Sequence, residues 1–366
     1  MPKEFYFNDN FKDNTIDLLY KGRPIPVVSS MERAIYISPS GDNTIALIGR
    51  QDRPFKTIQG AIDLALLQYN GAGNANLQFT FWLMPGVYKE TVAIDTTLLN
   101  GTILLMPGVW WYQDNGLCLN MIQQSNISIV GLSRNQCRIE RRGTSVGSAI
   151  YARNGISLKS LFIRNSGGIA VESLQNWAGG VFTIDDCDIR STGGDAVLLS
   201  YGELLIAKHC KIESTIGHGI NGWTCKGVLI NSTVIGQIDG FKSNNGTSIK
   251  VINSFVDGKT GWGFNSGNWF DNIDISGSII RGFNGAFYCW DNGVYPDRYA
   301  IINNSFLLNT NPTGTVSFNT NTRLLWSGNM LSHNPTGGYS EVANPKVTNQ
   351  VIQGIKFNDY NLPLQF

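Results

Sequence analysis

Three residues of this chain could do chemistry together: Asp195, His218 and Asp239. They recur at intervals of 23 and 21 residues, each just before a small residue and an apolar one: Ala196-Val197, Gly219-Ile220 and Gly240-Phe241. Residues that recur at the length of one coil fall into line in a solenoid, about 4.8 Å apart per coil. Two carboxylates two coils apart would then be separated by roughly 9.6 Å at the backbone. Inverting glycoside hydrolysis holds its two carboxyl groups ~6.5–9.5 Å apart, one as the acid and one to activate a water. His218 between them could orient a sugar hydroxyl or carry a proton. The competing reading is structural. The same column holds Ile169, Trp262, Gly285 and Gly314, and Asp, Gly and His all tolerate bend geometry.

Aromatic residues point to binding instead. Trp110, Trp111 and Tyr112 read as a loop just after a turn, and Tyr201, Trp223 and Trp290 fall near the ends of short strands. Flat aromatic faces on a rigid ladder suit pyranose rings, and Lys242 could share that face; the alternative is that these rings pack loops against the body or are buried between subunits. Arg138, Arg141 and Arg142 read as a solvated turn rather than a uronate clamp. Asp185-Asp186-Cys187-Asp188 has the composition of a calcium site. Asp186, however, shares a bend column with Ser160, His209, Ser232, Asn253 and Asn304, so we expect no metal there. Six cysteines lack CxxC or framework spacing, which argues against a metal centre or disulfide scaffold and for small buried side chains made in a reducing cytosol. No cofactor is expected.

The elements that must position these residues form a repeat from Ile156 to Leu331. One column reads Leu158 to Ile163, Ile230 to Ile235, Val251 to Val256, Ile275 to Ile280, Ile302 to Leu307 and Trp326 to Leu331, with looser copies at Ile184 to Ile189 and Ala207 to Ile212. A second reads Ala170-Val171, Ala196-Val197, Gly219-Ile220, Gly240-Phe241, Gly263-Phe264, Ala286-Phe287 and Thr315-Val316. Periods of roughly 21–29 residues with period-two apolar alternation mean stacked strands. Earlier in the chain, Leu83-Met84-Pro85-Gly86-Val87-Tyr88 recurs as Leu105-Met106-Pro107-Gly108-Val109-Trp110. Before it, Ile58, Ala61, Ile62, Ala65, Leu66 and Tyr69 give one apolar helical face behind Pro54. That helix should cover the open end of the strand stack.

The turn Ser38-Pro39-Ser40-Gly41-Asp42, the helix start at Pro54 to Asp63, the Pro85-Gly86-Val87-Tyr88 turn and the Asn/Ser/Gly bends together resemble the pectate-lyase superfamily. The resemblance covers about residues 35 to 333. It implies an all-β fold, a single-stranded right-handed parallel β-helix of about ten coils with an N-terminal capping helix. The family includes pectin lyases, polygalacturonases and phage tail spikes, so the fold leaves the activity open. Gly217-His218-Gly219 is similar to the Gly-His-Gly motif of polygalacturonases. Those enzymes carry Asp-Asp where this chain has Gly194-Asp195, a further Asp where it has Ile169, and Arg-x-Lys where it has Ser248-Ile249-Lys250.

Three parts are expected: an arm over residues 1–34, the β-helix over 35–333 with its helix at about 55–70, and a C-terminal cap or tail over 334–366. The arm mixes Phe5, Tyr6, Phe7, Phe11 and Tyr20 with polar residues. It either lies on the body or docks the protein onto other virion proteins. Net charge is +1 and only 15% of residues are charged, so nucleic acid is an unfavourable partner. No signal peptide or apolar run of membrane-spanning length stands out. In Phe162-Ile163, Val234-Ile235, Phe255-Val256, Ile279-Ile280, Phe306-Leu307 and Met330-Leu331, one of each pair must face outward. The resulting apolar stripe favours a homo-oligomer, such as a trimer, or cover by the chain's own termini. The functional expectation is a phage-type virion component (tail spike, fibre or capsid-attached appendage) that binds surface polysaccharide. The alternatives are an inverting glycoside hydrolase using the Asp195-His218-Asp239 ladder and a purely structural virion protein.

Overall fold

The computed structural model describes residues 34–69, 78–95, 100–122, 126–153, 155–173, 180–199, 203–223, 226–244, 247–266, 270–289, 298–309, 316–318, 322–327, 330–332 and 351–353, with the paired Leu19–Tyr20 and Arg23–Pro24. Three parallel sheets of 13, 11 and 10 strands wrap one core. The first sheet runs from Ala34–Ile37 to Val351–Gln353, the second from Gly86–Lys89 to Met330–Ser332, and the third from Val92–Ile94 to Val316–Phe318. Each successive coil adds one strand to each sheet, so the chain is a parallel β-helix. Its single helix among the described residues is Ile58–Tyr69.

Alternation drives this architecture. Along the second sheet Ile139, Ile163, Ile189, Ile212, Val234, Val256 and Ile280 stack inward, all buried. The third sheet stacks Val171, Val197, Ile220, Phe241, Phe264 and Phe287. The Phe241 and Phe264 rings lie 5.3 Å apart and Phe264 and Phe287 5.9 Å apart. Each such side chain contributes about 1.5–3 kcal/mol by leaving water.

The corner between the first and second sheets holds a left-handed residue in each coil from Ser160 to Asn304. Ser160, Asp186, His209, Asn231, Asn253 and Asn304 take φ from 46° to 55° there, and Gly277 takes 57°. Asp186 and His209 are therefore bend residues. The next residue points inward, giving Cys187, Cys210, Ser232, Ser254, Ser278 and Ser305. The four serines form a buried ladder. Each hydroxyl donates to the carbonyl two residues before it and accepts an N–H from the preceding coil, as Ser254 Oγ does from Ser232 N at 3.1 Å. Two register expectations are corrected here. In the 230 copy the bend is Asn231, not Ser232, and Thr233 rather than Val234 is the rung beside Phe255. In the earlier pair, Leu83 matches Leu105 but Val87 matches Trp110 and Tyr88 matches Trp111. One coil is a residue longer than its neighbour there, and a one-residue slip exchanges the faces.

The helix closes the N-terminal end with Ile58, Ala61, Ile62 and Ala65 buried. Thr57 caps it, its Oγ1 accepting Gly60 N–H at 3.1 Å. Glu90 from the first coil accepts Ile58 N–H at 2.8 Å and Gln59 N–H at 3.1 Å. The Gln59 amide then pairs with both main-chain groups of Ala93, at 2.7 and 3.1 Å. Ala93 belongs to the terminal strand of the third sheet, so a helix side chain occupies an edge that could otherwise pair with another chain.

Candidate functional site

The structure brings Asp195, His218 and Asp239 into one column between the second and third sheets, and each rung accepts the N–H of the next. Asp195 Oδ1 accepts His218 N–H at 2.7 Å. His218 Nδ1 accepts Asp239 N–H at 3.3 Å. Asp239 Oδ1 accepts Trp262 N–H at 2.7 Å. The second carboxylate oxygens are held too: Asp195 Oδ2 by Asn221 Nδ2 at 2.8 Å, and Asp239 Oδ2 by Asn265 Nδ2 at 3.0 Å. His218 Nδ1 also lies 3.4 Å from Asp239 Oδ2. As an acceptor of the Asp239 N–H, the neutral ring carries its proton on Nε2.

These bonds give the column a scaffold role at the bend. They also separate its members: His218 and Asp239 are buried, Asp239 at 3% exposure, while Asp195 is half-buried. The glycines fit the same design. A side chain at Gly217 would start 2.5 Å from Asp195 Oδ1, and one at Gly261 2.3 Å from Asp239 Oδ1.

The column is coupled diagonally to the outward row of the third sheet. In register this row reads Tyr151, Glu172, Leu198, Asn221, Lys242, Asn265 and Tyr288. Asp195 bonds Asn221, Asp239 bonds Asn265, and Trp262 packs on Tyr288 with ring centroids 5.0 Å apart. Every partner lies one coil on. Lys242 sits between the two asparagines, half-buried, and among the described residues no carboxylate pairs with its ammonium. Trp223 flanks this row at 41% exposure. At the row's N-terminal end, burial and then the Glu172 charge raise the Tyr151 phenol above its usual range, and Ser148 hydrogen-bonds Glu172.

The other aromatic candidates divide. Val109–Gln113 is a strand of the second sheet, not a loop. Trp110 and Tyr112 face outward, 5.4 Å apart, with the Arg142 guanidinium 4.0 Å and 4.8 Å from their ring centres. Trp110 Nε1 donates to Glu140 at 3.0 Å. Trp111 faces the core at 0% exposure, its Nε1 donating to Glu90 O at 2.9 Å. Its assignment as a glycan contact is therefore wrong, because alternation turns it inward beside Tyr88. Tyr201 and Trp290 lie outside the described residues.

Arg141 is the residue that the sequence reading missed most clearly. It is not solvated but 2% exposed, donating to Gly147 O, Asn165 Oδ1, Asn115 O and Ser145 Oγ at 2.8–3.3 Å. Burial pulls its pKa below the usual arginine value. Its position on strand Arg138–Arg141, at the same phase as the inward Ile139, was the available signal.

The lateral stripe also resolves. Phe162, Asp188, Lys211, Thr233, Phe255, Ile279 and Phe306 form one outward column of the second sheet. Polar rungs break it, and arginines overlie it: Arg138 and Arg190 near Phe162, and Arg281 5.2 Å from the Phe255 ring centre.

No protein-family model matches this sequence, and no curated protein sequence matches it. Among solved structures the chain is similar to pectin methylesterase PemA from Erwinia chrysanthemi, with a TM-score of 0.38 and 14% identity over 83% of this chain and 90% of that one. A likeness at this level carries no residue's role across.

Proposed function

We propose that this protein is a carbohydrate-binding β-helix whose ligand lies along the outward row of the third sheet. One observation carries the reading: Asn221, Asn265 and Tyr288 of the row are each tied to a partner one coil away, in Asp195–Asn221, Asp239–Asn265 and Trp262–Tyr288, and Lys242 stands between the two asparagines. Such coupling holds the two amides and the ring faces in place before a ligand arrives, which lowers the ordering cost of binding. Amides and Lys242 suit sugar hydroxyls or carboxylates, and Trp262, Tyr288 and Trp223 suit ring faces. The same surface fits the finer reading, a virion-borne appendage that attaches to host surface polysaccharide and acts as a homo-oligomer. Phe255, Ile279 and Phe306 on the second sheet support the oligomer part of it.

A second reading, glycan hydrolysis, is favoured by one feature. Asp195 is the carboxylate of the ladder that solvent reaches. Two measurements on one panel of surface polysaccharides separate the readings: equilibrium binding and release of reducing ends, for the parent, Lys242→Ala and Asp195→Asn. Binding without release, weakened tenfold or more by Lys242→Ala, is the expected result. Release abolished by Asp195→Asn would make the protein a hydrolase. Binding unaffected by Lys242→Ala would remove the third-sheet row from consideration. Protein analysis of purified particles from the producing virus tests the virion assignment.

A further inference from the structure

Among the described residues, the outer face of the second sheet and its margin carry Arg138, Arg142, Arg164, Arg190 and Arg281. They divide into two groups. Arg190 meets Asp188 in a two-bond fork at 2.8 Å, and Arg281 meets Asp257 in another at 2.8 and 2.5 Å. Those two guanidiniums are closed. The three nearer the N-terminal end are open. Arg138 is exposed, and among the described residues no carboxylate pairs with it. Arg142 reaches Glu140 only at 3.5 Å, and Arg164 reaches it only at 3.9 Å. The Glu140 side chain is 13% exposed, and its Oε2 already accepts the Trp110 indole N–H at 3.0 Å. One occupied carboxylate therefore faces three guanidiniums. Lys89, in the coil before, is paired with Asp114.

The open guanidiniums are nonetheless held in place. Arg142 lies 4.0 Å from the Trp110 ring centre and 4.8 Å from that of Tyr112, and Arg138 lies 5.8 Å from that of Phe162. A ring face attracts a guanidinium without taking up its N–H donors. Arg138 and Arg142 are four residues apart, roughly 13 Å along the coil, and Arg164 stands beside Glu140 one coil on, about 4.8 Å away. Their side chains keep solvent contact, Arg142 at 39% and Arg164 at 45% exposure. Positioned forks with unspent donors suit oxyanions, which they bind through paired hydrogen bonds.

We propose that Arg138, Arg142 and Arg164 form a binding site for the carboxylate or sulfate groups of an acidic polysaccharide, separate from the third-sheet row. The aromatic surroundings favour a glycan, since Trp110 and Tyr112 offer ring surface beside the guanidiniums. A peptide cannot add here as a strand, because Arg138–Arg141 is paired on both sides. A net charge of +1 over the chain disfavours nucleic acid.

The test measures equilibrium binding of alginate, dextran sulfate, neutral dextran and single-stranded DNA to the full-length chain. Arg138, Arg142 and Arg164 are replaced together by glutamine in one set and by lysine in another, each in the parent and in Lys242→Ala. The expected result is binding of at least one acidic polysaccharide, weakened tenfold or more in both sets, with binding of neutral dextran unchanged. The same loss in the Lys242→Ala background separates this site from the third-sheet row. Arg138→Gln alone breaks no contact with a carboxylate, and its affinity must also fall, which keeps the test decisive if a triple set does not fold. No binding of either acidic polysaccharide, or unchanged affinity in the glutamine set, would overturn the proposal. So would full affinity in the lysine set, which marks diffuse charge attraction, or tighter binding of the DNA.

Discussion

Asp195 accepts the main-chain N–H of His218 at 2.7 Å, and Asp239 accepts that of Trp262 at the same distance two coils on. The two carboxylates thus repeat one task, fastening the bend of the following coil. The deeper of the two should matter more for stability. Asp239→Ala leaves the Trp262 N–H and the Asn265 amide without an acceptor, at about 1–3 kcal/mol for a buried unpaired group. Asp195→Ala should cost less, because Asp195 is half-buried and water can enter in place of its carboxylate. Urea unfolding of both variants checks the order: equal losses would contradict the ranking by burial, and no loss from Asp239→Ala would contradict the scaffold role.

Trp111 and Lys242 should separate folding from binding. Trp111→Ala removes a fully buried indole, a loss of about 3–5 kcal/mol, and should leave the glycan affinity of the folded fraction unchanged. Lys242→Ala should do the reverse. Thermal unfolding and binding measured on the same preparations distinguish the two.

The buried thiols predict both reactivity and alkaline behaviour. Cys118, Cys137, Cys187 and Cys210 are buried and free. A thiol reagent should therefore label at most Cys225 and Cys289 in the native protein, and all six cysteines after denaturation. Burial pushes the Cys118 thiol up to about 12 and that of Cys210 up to about 11. The folded state then holds protons that the unfolded chain releases near pH 9. Stability should be full below that pH and fall as it rises towards 12. Unfolding midpoints that stay flat from pH 8 to 11 would contradict this.

Asp257 predicts the acid limb. Burial alone would raise its carboxyl, but bonds from Arg281 and Lys259 outweigh it and hold it below the ordinary value of 3.8. The stabilisation is present above that value and is lost as pH falls through the lowered one. Asp257→Asn should flatten the dependence of melting temperature on pH below 4. An unchanged slope would show that other carboxylates set it.

How much was legible follows from the coil length. The third-sheet column from Val171 to Phe287 was read in its true register because small-apolar pairs mark every rung. The Ile230 copy was read one residue late, since Leu229, Ile230 and Val234 are all apolar and the pattern fits either phase. The same ambiguity hid Trp111. Two similar turns, at Pro85 and Pro107, suggested equal spacing, while the chain inserts one residue between Leu83 and Trp111. Arg141 was misread because a charged residue at an inward phase is rare and needs acceptors that the sequence does not reveal.

By itself, then, the sequence determined a stacked parallel solenoid, its capping helix, and the alignment of Asp195, His218 and Asp239. These depend on periodicity, which is written into the chain. Only the tertiary structure decided what the aligned residues do. A carboxylate's partners depend on the height and phase of the next coil, and a single residue of slip exchanges inside for outside. Stacking joins the Asp195 carboxylate to the His218 main chain and sends Trp111 into the core.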